Sequence, residues 1–363
     1  MMQCAGSEKR SVQQTLIWVS QVLRTCGVPE DDAAIAASRL VRADMRGIRT
    51  HGLALLTAYV DSIRDGHTNP APELRIEDNG DYMVADADNA LGQVAMPRIL
   101  ERAIAASADR ALVAVSVRRI GHLGAIGPLV VDVADAGRIG LLIQNTQPLI
   151  GLEGSSSPAV GNNPFAFAVP IAGQAPLVFD AAMSAVSLSR IKQFAMAGQP
   201  IPADWALDQS GRPTTDPAKA EILQPFGGYK GIALAMFFEA LAGSLSDMRP
   251  ERIGGIPIGN GAFILIVNPD RFLPRQKFDA HVAGWVATYV GSTASARVPG
   301  AQASAFRSRQ ERPRNPGSAY VGTRPAGRPA RHIETLSEGV ASVCFLERRP
   351  VDVGGFFYGC SRG

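Results

Sequence analysis

The strongest constraint on this chain's fold is a change of hydrophobic period near residue 70. Before it, apolar residues recur at helical spacing; after it, they gather into short β-rich runs. Three amphipathic helices are expected in the first part. Ser11 can cap the first, which carries Val12, Leu16, Val19 and Leu23 on one face and stops at Gly27. The second spans Glu30 to Met45 and ends at Gly47. The third starts near His51, with Thr50 as its N-cap, and carries Leu53, Leu56, Tyr59, Val60 and Ile63 as far as Gly66. The stretch GHTNPAPELRI, Gly66 to Ile76, has the proline and polar punctuation of a link out of a small helical domain.

Beyond the link, strands are expected at YMVADAD, at Leu112 to Val117, Ile139 to Asn145, Phe165 to Pro170, Ala175 to Ala182 and Ala262 to Pro269. Helices are expected between them: about Gln93 to Arg110, Pro128 to Ala136, Ser184 to Gly198 and Tyr229 to Leu245. A last helix, Gln276 to Val290, is predicted to return to the N-terminal helices. Strands mixed with helices give an α/β (mixed α+β) fold. The expected domains are a helical one from 8–75 and 275–315, an α/β one from 76–274, and a divergent tail from 316–363. That tail is rich in Arg, Pro and Gly, a composition typical of disorder.

At 363 residues, 46% hydrophobic and 19% charged, the chain has material for a sizeable core. No apolar run reaches the ~20 residues of a membrane helix, and the N-terminus lacks a signal-peptide core, so a cytoplasmic protein without membrane partners is expected. Cys4, Cys26, Cys344 and Cys360 are scattered and indicate neither a disulfide framework nor a metal site. The net charge of +3 belongs to the tail: from Arg297 onward lie eleven of the 36 basic residues and five of the 33 acids. The body is slightly acidic and gives no electrostatic case for nucleic acid.

The chemistry-bearing candidates sit near glycines. In RRIGHLGAIG, His122 follows a β-rich run and precedes a helix, among Gly121, Gly124 and Gly127. Such a loop lets a ligand approach, and an imidazole of pKa ~6.5 suits proton transfer near neutrality. A histidine satisfying loop backbone fits the same pattern. His51, in RTHGL, is either a helix-start feature or a group facing a site that Tyr59 walls. Asp180 ends a strand in VFDAAMS, where a carboxylate can bind a ribose, orient a histidine or cap a turn. Lys230, between glycines in PFGGYKG at a helix start, suits an anion or solvent. Asn162 and Asn163 read as turn formers. No P-loop, GxSxG elbow or GxGxxG fingerprint is present.

Taken together, ADMRGIRTHGL, GHTNPAP, GHLGAIG, GNNPFAFAVP, VFDAAMS, IPADWALDQSGRPTTDP and LQPFGGYKGIALA resemble the type 2 malate/L-lactate dehydrogenase family. Seven segments match, in family order, from about Val12 to Pro299. The resemblance implies NAD, with NADP as the other option, held in a non-Rossmann domain with a mixed sheet. It also implies a homodimer acting on a small carboxylate substrate. His122 stands at the family's proton-transfer histidine and His51 at the histidine lining the substrate site. Thr146, Asp180, Ala181, Ala182 and Lys230 stand at cofactor-contacting positions.

The implied reaction is hydride transfer between NAD(P) and a 2-hydroxy or 2-keto acid. The alternatives are a cyclic imino-acid (C=N) reductase and a catalytically impaired dinucleotide-binding homologue. Three departures from the family stand out. Leu55 replaces the usual arginine four residues after His51, Met183 replaces a threonine, and the family's end is unrecognisable after about Asn315.

Overall fold

A computed structural model describes residues 11–253 and 256–300; the expected tail and the stretches 8–10 and 301–315 lie outside them. Helix α1, Val12–Thr25, opens with a reciprocal cap: Gln14 N donates to Ser11 Oγ at 3.1 Å, and Ser11 N donates to Gln14 Oε1 at 2.9 Å. Its face, Val19 and Leu23, packs with Ala33, Ala36, Ala37 and Leu40 of α2, Glu30–Met45. The third helix, α3, begins later than expected and spans Leu56–Arg64. Two 3₁₀ turns, Arg49–His51 and Leu53–Leu55, precede it. Asp44 explains the delay. Its carboxylate accepts from Leu53 N at 2.6 Å, pinning the turn, and only glycine at position 52 leaves room for that carboxylate.

The α/β part is built on a seven-stranded sheet. Its first strands are β1, Arg75–Asp78, and β2, Tyr82–Ala90, followed by α4, Gly92–Ala106, and β3, Leu112–Ile120. Next come α5, Gly127–Asp135, and β4, Ile139–Gln144. Strands β5, Pro148–Ile150, and β6, Val160–Gly161, lead to β7, Phe165–Val169, and β8, Leu177–Ala181. Helix α6, Leu188–Met196, starts four residues later than expected, at a Ser187 cap. After it come β9, Ala206–Leu207, β10, Ile222–Leu223, and α7, Tyr229–Ala242. The chain then forms β11, Glu251–Ile253, β12, Ile256–Ile258, β13, Asn260–Val267, and α8, Arg275–Gly291.

The main sheet runs β1-β2-β3-β13-β4-β7-β8. Only β2 and β3 are parallel; the other pairs are antiparallel, so the sheet is mixed and differs from a doubly wound nucleotide fold. Alternation along the strands divides two cores. Ala262, Ile264, Ile266 and Leu142 join α4 and α5 on one face, while Phe263, Ile143 and Phe165 meet Ala235 and Phe238 of α7 on the other. A four-stranded sheet, β6-β5-β10-β9, extends the second core.

Helix α8 differs from its expected place. Instead of returning to α1–α3, its Phe278, Val282 and Val286 pack on Val169, Ile171 and Leu177 beside the outer strands β7 and β8. Arg275 fixes its start through Gly137 O at 2.9 Å and Asp270 at 3.2 Å.

Candidate active site

His122 lies in the loop from β3 to α5, and the backbone on both sides of it is held. Gly121 N donates to Ala90 O at 2.9 Å. The buried amide of Gln144, at the end of β4, brackets the histidine: Leu123 N donates to Oε1 at 3.0 Å, and Nε2 donates to Gly121 O at 3.1 Å. The loop presses on the start of α4, where a Cβ at Gly92 would stand 2.6 Å from His122 O. Gly124 adopts φ +70°, a left-handed conformation that glycine takes without strain.

The N-terminal helices and the turns between them supply the other side. The rings of His51 and His122 stack with centroids 5.9 Å apart and planes at 24°. Thr50 does not cap a helix; its Oγ1 hydrogen-bonds His51 Nδ1 at 3.1 Å, within the 3₁₀ turn. Tyr59, buried in α3, puts its hydroxyl 2.9 Å from His122 Nδ1 and accepts from Gln93 Nε2 at 2.6 Å. Burial, with His51 beside it, pushes the His122 pKa down to about 3, and burial also lowers that of His51. Burial raises the phenol pKa of Tyr59, so that hydroxyl keeps its proton. Both imidazoles are therefore neutral near pH 7 and able to exchange a proton.

Hydrogen bonds tie the loop after His122 to the segments that carry the other candidates. Gly127 N, at the start of α5, donates to Asp180 Oδ2 at 2.7 Å. Asp180 and Ala181 end β8; Ala182 and Met183 follow. Met183 N donates to Asn162 O at 2.7 Å, and Phe226 N donates to Met183 O at 2.8 Å. Thr146 Oγ1 donates to Asn162 Oδ1 at 2.8 Å, while Thr146 N donates to Asn163 Oδ1 at 2.9 Å. Asn163 is wholly buried and also donates to Glu239 of α7 at 2.9 Å, so it holds the wall as well as shaping the turn. Phe226 leads through Gly227 and Gly228, both at positive φ, to exposed Lys230 in the first turn of α7.

These residues suit a dinucleotide. The start of α7 has no side-chain cap, so its N–H groups and Lys230 are available to an anion. Two buried polar atoms on the same segments, Gln147 Oε1 and Ser184 Oγ, have no hydrogen-bond partner and suit a polar ligand. Beside His51 a small cleft opens between α2 and the glycine loop, with Arg39, Arg42, Arg46, Gln93 and Gly124 among its lining. Arg39 is paired with Asp132 at 2.9 Å. Among the described residues no group of three or more His, Cys, Asp or Glu is placed to hold a metal ion.

Sequence reasoning missed Asp44, Gln93 and Gln144. Gln144 is the one polar side chain of the otherwise apolar β4, and Gln93 is the one amide of α4 and lies buried in its first turn, a readable signal.

The chain matches the family model described as malate/L-lactate dehydrogenase over residues 11–315. It is 34% identical to ureidoglycolate dehydrogenase (NAD(+)) of Escherichia coli O157:H7 over 275 residues, 73% of this chain and 78% of that protein. It is 36% identical to (2R)-3-sulfolactate dehydrogenase (NADP(+)) of Chromohalobacter salexigens over 226 residues, 62% of this chain and 68% of that protein. Its fold matches the crystal structure of delta1-piperideine-2-carboxylate reductase from Pseudomonas syringae pvar. tomato. The TM-score is 0.75 at 26% identity, covering 83% of this chain and 94% of that one.

Proposed function

The chain belongs to the malate/L-lactate dehydrogenase family and is an NAD(P)-dependent oxidoreductase; from that premise we propose that its substrate is a small 2-hydroxy or 2-keto acid, with His122 as the proton-transfer group. The observation that carries this reading is the stacked His51–His122 pair, joined through Gly127 and Asp180 to the segment that leads to Lys230. The nicotinamide supplies hydride exchange with the substrate carbon. In reduction His122 delivers a proton to the carbonyl oxygen; in oxidation it takes the hydroxyl proton. His51 holds the carboxylate or carbonyl beside it. Lys230 and the start of α7 bind the dinucleotide phosphates, and Thr146, Asp180, Ala181 and Ala182 line the remainder.

An anionic substrate is supported by Arg42 and Arg46 at the cleft next to His51. With Leu55 at the family's arginine position, these side chains supply the positive charge on that flank. A cyclic imino acid is the second reading, favoured by Leu55 and by the likeness to the piperideine-carboxylate reductase. His122 would then deliver its proton to the imine nitrogen.

A homodimer belongs to the same reading. Helix α7 carries apolar residues on more than its buried face and leaves Met236 and Phe237 61% and 57% exposed, next to exposed Leu234, a surface suited to a second copy. A cytoplasmic location is supported by the scattered cysteines, of which Cys26 is a free thiol. The test is a panel of pyruvate, oxaloacetate and a cyclic imine, each with NADH and NADPH, on wild type and His122→Ala. Turnover of a keto acid that His122→Ala abolishes, with NADH binding retained, fits the proposal. Full activity in that variant refutes the role of His122, and turnover of the imine alone selects the second reading.

A further inference from the structure

The hydrogen-bond chain Gln93–Tyr59–His122 can run in two directions, and only one leaves His122 able to take a proton. Gln93 Nε2 donates to Tyr59 Oη at 2.6 Å, and the single phenol proton then points to His122 Nδ1, 2.9 Å away. An accepting Nδ1 leaves the proton of the neutral ring on Nε2. In that form His122 offers an N–H to a substrate oxygen or imine nitrogen. It has no outward lone pair with which to deprotonate an alcohol.

The form that takes a proton, and the imidazolium that returns one, both carry hydrogen on Nδ1. That Nδ1–H must donate to Tyr59 Oη, so the phenol must send its own proton elsewhere. Tyr59 is only 2% exposed, so bulk water is a poor acceptor for it. The acceptor at hand is Gln93 Oε1, which is buried and has no hydrogen-bond partner. A half-turn of the amide brings Oε1 to the phenol and reverses the whole chain. Gly124 leaves that flank clear, since a Cβ there would stand 3.1 Å from Gln93 Nε2.

We infer that Gln93 is a positioning residue for the proton transfer: acting through Tyr59, its buried amide dictates which nitrogen of His122 is protonated, and it rotates when His122 changes from holding a carbonyl to exchanging a proton. The inference rests on His122 being the proton-transfer group. In oxidation the hydroxyl proton passes to His122 Nε2, the C–H hydride leaves to the nicotinamide, and the O–H electron pair completes the carbonyl. Nδ1–H, Tyr59 and Gln93 Oε1 then stabilise the imidazolium that forms.

The experiment is long-range ¹H–¹⁵N NMR of ¹⁵N-histidine-labelled, cofactor-free protein, with His122 assigned by its absence in His122→Asn. Wild type should show His122 predominantly protonated on Nε2. Tyr59→Phe should shift the tautomer ratio at least fivefold toward Nδ1–H, whereas Gln93→Met, which leaves the buried phenol no acceptor but Nδ1, should keep the ring on Nε2–H. Gln93→Met added to Tyr59→Phe should change nothing further. Gln93→Met should also lower kcat at least tenfold while leaving the cofactor KM unchanged.

Identical tautomers in wild type and Tyr59→Phe would overturn the inference, a comparison that stands even if Gln93→Met does not fold. So would a shift toward Nδ1–H in Gln93→Met with the phenol present. Full turnover by His122→Asn would instead refute the proposed function. Lost turnover in that variant with near-normal kcat in Gln93→Met refutes the Gln93 role alone.

Discussion

Replacing Gln144 by leucine tests whether the His122 loop is held by one buried side chain. Gln144 is 1% exposed, accepts from Leu123 N at 3.0 Å and donates to Gly121 O at 3.1 Å. Leucine is close in volume, so little cavity forms, but two backbone groups lose their partner together. Leaving a buried polar group unsatisfied costs about 1–3 kcal/mol. Leu123 is 3% exposed while Gly121 is only half-buried, so water can relieve the carbonyl but hardly the N–H. The expected loss is therefore about 2–4 kcal/mol. At about 2 °C per kcal/mol for a protein of this size, the melting temperature should fall by about 4–8 °C.

The loop carries His122 between the two released groups, and a misplacement of about 1 Å can cost about a hundredfold in rate. Urea unfolding and steady-state kinetics should therefore show a destabilised variant with kcat down tenfold or more and an unchanged cofactor KM. A loss of stability below about 0.5 kcal/mol, a typical surface value, together with near-normal kcat, would show that the loop is held by other contacts.

Four further outcomes are expected. The His122 ring has a pKa of about 3 when folded against ~6.5 unfolded, so the unfolded chain binds more protons between those values. Stability should then fall as pH drops below ~6.5, by up to about 1.4 kcal/mol per pH unit from this group, and urea midpoints of His122→Gln should fall less steeply. Leu55→Arg, beside the His51 turn, should lower the KM for a 2-keto acid at least tenfold, as measured by NADH oxidation. Asp180→Asn keeps an acceptor for Gly127 N but removes the negative charge at the start of α5. It should cost about 0.5–1 kcal/mol in urea unfolding and raise the cofactor KM. Phe237→Arg should convert the proposed homodimer to monomer in sedimentation velocity.

The parts of this molecule that were legible in the sequence are those governed by local rules. Ser11 and Gln14 cap α1 as their spacing predicts, and β3, β4, β7, β8 and β13 fall on the apolar runs that predicted them. His51 and His122 were both singled out from sequence, and the fold stacks them although 71 residues separate them. What could not be read was set by contacts between distant segments. Asp44 reaches Leu53 N and delays α3; Tyr59 turns inward to His122; Gln144 reaches back across β13 to the loop after β3. The place of α8 was misjudged because its apolar positions, Phe278, Val282 and Val286, are compatible with any partner surface.

The position of β13 carries one more consequence. It is the last strand of the sheet in chain order, yet it lies between β3, which delivers His122, and β4, which delivers Gln144. During synthesis the two stretches that must clasp one another emerge early and have nothing to align them. β13 is hydrogen-bonded to both, so the distance from Gln144 to the histidine loop is set only in a chain that includes it. A nascent chain halted before Asn260 would own every residue of the proposed proton-transfer apparatus and still lack the spacer that assembles it.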